Sequence, residues 1–344
     1  EGKTLSRTDG SCTFAITRAQ LAAPAGAAWT DGSTASWSPV TMNTAGGALA
    51  AGAVSGYAVT LYKDGALVQT AAADQTSFDF EQIIRAAGAG LYTFTVQAQT
   101  SDAAHYENSG ASALSGSEAA VQVTVSAGTG IASVTPKTTE LLLAGKTGAN
   151  TLNISAAAET GRSFSGWTAA PSAGVSIDKA AEASATLTVG ADFAASGLTV
   201  TANSADTTAP TITSYAASAG SLTGAASDVG GVLAKYAFST AETAAEVTGW
   251  LSAGDQKSVS ETYAVAAAGT YYYYAQDASG NTARSAAGIQ ATAVVYSGYY
   301  ENGAAASRTD YLVGDGTLTL AVPLRPGYAF GGWHLQEDCA DAAV

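Results

Sequence analysis

Short runs in which apolar and polar residues alternate fill most of this chain, and Gly, Pro, Asn, Asp and Ser separate them. That is the period-two pattern of β-strands with one buried face, interrupted by turns. The clearest run is residues 91–98, where Tyr92, Phe94, Val96 and Ala98 fall on one face and Thr93, Thr95 and Gln97 on the other. It predicts a half-buried antiparallel strand. Residues 57–62 alternate in the same way, Lys63-Asp64-Gly65 carries a hairpin signal, and 66–69 supply the returning strand. Further strands are predicted at 13–17, 151–154, 185–189, 198–202, 235–239, 269–275 and 318–320, and a turn at 31–33 lies between Trp29 and Trp37. Residues 77–88 break the pattern. Asp79 followed by Gln82 gives a capping box, Ile83 and Ile84 an apolar edge and Gly88 a stop, which together predict a helical turn.

A chain of 344 residues built from such short strands exceeds what one core accommodates. The expected fold class is all-β, an elongated tandem array of small β-sandwich and β-repeat modules. Breaks at Pro24 and Pro210 help to place the boundaries. The predicted segments are the end of a preceding module at 1–20, a sandwich at 21–126, a smaller β-unit at 127–206, a sandwich at 207–296 and a short repeat at 297–344. Short linkers are expected at 125–135 and 206–210.

Two aromatic kernels refine this division. Arg325-Pro326-Gly327-Tyr328-Ala329-Phe330-Gly331-Gly332-Trp333 and Gly161-Arg162-Ser163-Phe164-Ser165-Gly166-Trp167 share a Phe-x-Gly-Trp core. Small residues between two rings let the backbone turn or another strand approach, while the rings fill a small module's interior. Both kernels resemble the β-repeat of internalin-type surface proteins of Gram-positive bacteria, in divergent form within 127–206 and in truncated form at 297–344. Residues 21–126 resemble a fibronectin type III module, through the Pro24 opening, Trp37, the Tyr57 strand ending at Lys63-Asp64-Gly65, the Gly90 to Val96 strand and Tyr106-Glu107-Asn108-Ser109. Residues 207–296, with Thr207-Thr208-Ala209-Pro210, Lys235 to Ser239, Gly269 to Ala275 and Asp277-Ala278-Ser279-Gly280-Asn281, resemble a bacterial immunoglobulin-like module. These resemblances imply an extracellular, wall-attached or secreted scaffold that meets a host or environmental protein or glycan.

Composition narrows the function classes. The chain holds 14 Lys and Arg against 28 Asp and Glu, a formal net charge of −14, and counterion-release binding needs gathered cations, so no nucleic acid is expected as a partner. Charged residues are 12 % of the chain, about half the usual share. No apolar run approaches the roughly 18 residues of a membrane span, so no membrane insertion is expected. Neither a signal peptide at Glu1 nor a sorting motif at Val344 is evident, which reads as a fragment of a larger protein. Cys12 and Cys339 lie near opposite ends and are expected to be unpaired.

Candidate chemistry is sparse. His105 and His334 lack partner motifs for nucleophilic catalysis and read as structural or solvent-facing. Zinc-ligand spacing is missing. Calcium finds oxygen donors at Asp277 with Asn281, at Asp228 and at Asp315, but Asp, Gly and Asn equally favour turns, and the turn reading is preferred. No metal and no cofactor is therefore expected. Glu337 and Asp338 are adjacent residues that a strand would turn to opposite faces, and neither that pair nor Asp79 with Glu81, which stand in no catalytic motif, is expected to cut a glycosidic bond. Tyr271 and Tyr273 should face one way and Tyr272 and Tyr274 the other. Cross-strand core packing is the preferred reading of the run, and Tyr272 and Tyr274 are the candidate ligand-binding residues if one face is open. The predicted function is a non-catalytic stalk or adhesion region, the alternative an accessory carbohydrate-binding region of a secreted glycan-degrading enzyme.

Overall fold

A computed structural model describes residues 17–218, 220–300 and 304–334. The fold is all-β, with one seven-residue α-helix among the described residues. The chain divides into two compact units, Glu1–Ala158 with Phe164–Ser204, and Glu159–Ser163 with Ala205–Val344.

The first unit holds two hydrophobic cores. In one, strand Gly90–Gln99 puts Tyr92, Phe94, Val96 and Ala98 inside, as its alternation predicts. It pairs with Gly56–Lys63, which pairs in turn with Ala66–Ala73. Asp64 and Gly65, with φ of 51° and 81°, make the hairpin turn, since both central positions of this turn type need positive φ. The facing sheet is Ala28–Trp29, Thr34–Ser36 and Ser77–Asp79. Trp29 meets Phe94 edge-on at 4.8 Å, and Trp37 meets Tyr57 at 5.3 Å. The helix, Glu81–Ala87, buries Ile84 and stops at Gly88. Phe80, not Asp79, stands at its N-cap. Asp79 is held in a strand by its pairing with Thr34 and accepts the Glu81 amide from one position earlier.

The free edge of Gly90–Gln99 is closed in an unusual way. Ser109, Ser112 and Ser115 each donate a backbone N–H to the carbonyls of Ala98, Val96 and Phe94 in turn, while their Oγ atoms accept the N–H of those same residues at 2.8 to 3.0 Å. The hydroxyl stands where a neighbouring strand's carbonyl would be. Three residues of this segment thus match two of the strand, and all three serines are buried.

The second core lies between the sheet ordered Ile131–Thr135, Thr151–Ala158, Ser184–Val189, Val175–Ile177 and a facing layer that includes Arg162–Ala170, Gly197–Asp206, Glu118–Ala127 and Glu140–Leu143. Trp167 is buried there, 5.4 Å from Phe164, and donates its indole N–H to the Glu182 carbonyl. Strand Glu118–Ala127 belongs to both cores. Residues 118–120 pair with 90–92, residues 120–123 with Glu140–Leu143, and residues 122–127 run parallel to 197–202. Ala119, Val121, Val123 and Val125 enter the second core and Ala120 the first. The boundary predicted at 126/127 therefore falls inside a strand. The linker predicted at 125–135 is largely strand as well, because its apolar positions are spent on a core that the sequence assigned to one side.

In the second unit, the sheet Thr211–Ser218, Ser221–Ser227, Ser258–Ala264 faces a sheet ordered Leu251–Gln256, Leu233–Ser239, Gly269–Asp277, Ile289–Tyr300, Ala304–Val313, with Thr282–Arg284 paired to Gly269–Asp277. Ile289–Tyr300 continues through the boundary predicted at 296/297 and forms a long hairpin with Ala304–Val313. Residues 318–320, predicted as a strand, take no regular structure. In the terminal kernel, Trp333 packs on Tyr296 at 4.9 Å and on Phe330 at 5.4 Å. Cys12, the strand predicted at 13–17, most of segment 1–20, Cys339, Glu337 and Asp338 lie outside the described residues.

Candidate functional site

The tyrosine run is decided by burial. Tyr271 and Tyr273 do face one way, into the space between the sheets, where Tyr273 lies 4.9 Å from Phe238 and 6.3 Å from Tyr215. The opposite face is covered too. Tyr274 is 1 % exposed, donates its hydroxyl to the Ala241 carbonyl at 2.8 Å and meets Trp250 edge-on. Tyr272 is half-buried beneath the Arg284 guanidinium, 4.5 Å from its ring centre. Segment 240–250 supplies this cover, which strand alternation alone does not reveal. Tyr274 is therefore corrected from candidate ligand contact to core residue, and Tyr272 keeps only a partly covered face.

The histidines follow the sequence reading. His105 is exposed on a loop, with Nδ1 2.9 Å from the Asp102 carboxylate, and the His105 hydrogen bond holds Asp102 below its ordinary range. His334 follows the Trp333 kernel and is half-buried.

Asp79 and Glu81 depart from it. Asp79 ends a strand and Glu81 begins the helix, so their carboxylates converge on Lys146, at 3.6 and 3.5 Å from Nζ, with Asp31 at 3.5 Å and Ser33 Oγ at 2.6 Å. Burial opposes the Lys146 charge, but the carboxylates of Asp79, Asp31 and Glu81 outweigh it and hold the ammonium above its ordinary range. Burial likewise opposes ionisation of Asp31 and Asp79. For Asp31 the Ser33 and Thr34 amides prevail, for Asp79 the Ser33 hydroxyl and Glu81 amide, each with help from Lys146, and both sit below the usual carboxylate range. Glu118 goes the other way: burial, then the Asp31 charge, push it up to about 7, and its Oε2 is buried without a hydrogen-bond partner. With Lys146 saturated by three carboxylates, this corner is an ion-pair hub.

The densest chemistry among the described residues of the second unit gathers Asp206, Asp228 and Asp277. Asp206 closes Gly197–Asp206, Asp228 follows Ser221–Ser227, and Asp277 closes Gly269–Asp277. One carboxylate oxygen of each lies within 4.8 Å of the other two, and all three residues are buried, at 7 %, 4 % and 2 % exposure. Turn geometry puts them there. Asp206 Oδ1 accepts the Thr208 amide, Asp228 Oδ1 the Gly230 amide, and Asp277 Oδ1 and Oδ2 the backbone and side-chain N–H of Asn281 at 2.9 and 2.8 Å. Asn281 also donates to the Asp206 carbonyl at 3.3 Å. The predicted turn at 277–281 is thus present and aims its carboxylate inward. Asp315, the remaining oxygen donor singled out from the sequence, is exposed and apart from the cluster.

The floor of the cluster is Gly230-Gly231. A Cβ on Gly230 would come within 2.3 Å of the Gly161 carbonyl and 2.4 Å of Asp206 Oδ1. One on Gly231 would come 2.4 Å from Asp206 Oδ2 and 3.1 Å from Asp228 Oδ2. Only glycine leaves this space to the carboxylates. Arg162 beside them donates to the Gly230 carbonyl at 2.7 Å. Asp206 escaped the sequence reading because it marked a linker there. The usable signal was an Asp at the end of each of three alternating strands.

Elsewhere, an open depression of about 350 Å³ is lined by Thr135, Asn153, Asp178, Lys179 and Thr186. No helix among the described residues is long and apolar enough to cross a membrane. No family model matches this sequence, and no curated protein does. Among solved structures, extracellular domains 3–5 of Drosophila OTK align over 79 % of this chain and 97 % of their own, at 10 % identity and a TM-score of 0.16. A likeness that weak carries no argument, and what is shown of the chain is its all-β fold.

Proposed function

We propose that this chain is a non-catalytic extracellular region of a large bacterial cell-surface or secreted protein, in which β-modules space or present binding modules toward a host or environmental protein or glycan. The placement of aromatic side chains carries this reading. Trp37, Trp167, Tyr271, Tyr273 and Tyr274 are all spent on module cores, and among the described residues the carboxylates around Lys146 and those of Asp206, Asp228 and Asp277 meet in an ion-pair hub and in turns. The fibronectin-like, immunoglobulin-like and internalin-type identities, and a Gram-positive wall as the setting, belong to the same proposal and rest on motif order.

The test is surface display of the chain between a wall anchor and a small reporter binder, with a glycan array on the purified protein alongside. The expected result is stronger capture of a bulky target with the chain than without it, and no saturable glycan binding. The carbohydrate-binding alternative is favoured by one observation: Tyr328 and Phe330 are 67 % and 41 % exposed beside Arg325. Saturable glycan binding that Tyr328→Ala abolishes would replace the spacer reading with that one.

A further inference from the structure

We infer that Asp206, Asp228 and Asp277, all in the second unit, form a calcium site that clamps the segments carrying them. Two independent features point to a ligand. The first is the convergence of three buried carboxylates on one small volume. The second is that Asp206 Oδ2 and Asp228 Oδ2 are buried with no hydrogen-bond partner, although every other carboxylate oxygen of the set accepts an N–H. Those two orphaned oxygens point into the same space above Gly231, where a Cβ would touch both. Buried acceptors left unmet are costly, and buried like charges more so, unless a cation meets them.

The donor set selects the ion. It is oxygen only, with no His or Cys in the cluster, which disfavours zinc and suits a hard cation. The donors come from separate loops and differ in how many hydrogen bonds they already accept. Such an irregular set fits the flexible coordination of calcium better than the strict octahedron of magnesium. A bound ion would tie residues 205–206, 228 and 277 of the second unit together, so binding should appear as stability of that unit.

The experiment is calorimetric titration of CaCl₂ into the full chain after exhaustive chelation, with thermal unfolding in excess calcium and in EGTA. We expect one site per chain, a Kd on the order of 10⁻⁴ to 10⁻³ M as in extracellular calcium modules, and one unfolding midpoint higher by about 4 °C or more in calcium. Asp228→Asn and Asp206→Asn should weaken binding at least about tenfold, whereas Asp315→Asn should leave it unchanged. In EGTA the two Asn variants should melt no lower than the parent, because they remove negative charge from a buried cluster. Absence of both heat and midpoint shift at millimolar calcium would overturn the site. So would calcium binding of undiminished affinity in Asp228→Asn, and magnesium binding tighter than calcium would overturn the choice of ion.

Discussion

At the scale of single residues, Glu118 and its neighbours set opposite pH responses. The folded values of Asp31 and Asp79 are depressed, so their contribution is present above the ordinary carboxylate range and lost as pH falls through the folded values. Glu118 is raised from 4.5 to about 7. The folded state then binds more protons than the unfolded chain between those values, and stability declines as pH rises through them. Glu118→Gln should therefore stabilise by on the order of 1 kcal/mol near pH 8, allowing for partial solvation, and by almost nothing near pH 4. Urea titrations at the two pH values decide it. Tyr274 supplies a second check. Tyr274→Phe removes the bond to Ala241 and should cost about 1 kcal/mol, and Tyr274→Ala should cost about 3–5 kcal/mol as a cavity, with glycan binding unaffected in both.

At the scale of elements, the serine segment beside Gly90–Gln99 gives the sharpest prediction. Ser112→Ala strips the acceptor from the buried Val96 amide, which should cost roughly 1–3 kcal/mol, whereas Ser117→Ala, at an exposed position next to the segment, should fall within about 0.5 kcal/mol. Hydrogen exchange at Val96 should accelerate in the first variant and not in the second. This element also marks what the sequence could disclose. Strands with period-two alternation, the Asp64-Gly65 hairpin and the Trp167 core were legible because each depends on residues close in the chain. The serine segment was not, since its period of three matches neither strand nor helix. Nor was the cover over Tyr274, which comes from a loop without periodicity. The aspartate cluster was half legible: Asp228 and Asp277 stood out as turn residues, but their meeting with Asp206 depends on which strands end at the same place.

At the scale of the whole molecule, two units with separate cores should unfold separately. Differential scanning calorimetry is expected to resolve two transitions, one lowered by Ser112→Ala and the other raised by calcium; a single transition moved by both would show the units to be one cooperative body. Within the first unit such independence stops, because strand Glu118–Ala127 is a wall of two cores. Cutting the chain at the boundary the sequence suggests would strip Val121, Val123 and Val125 of the partners that bury them, and leave an apolar edge of the kind that pairs with other chains. The consequence is genetic: recombination could trade this pair of sandwiches between proteins only as one cassette, with viable breakpoints before the first or after the second and none between.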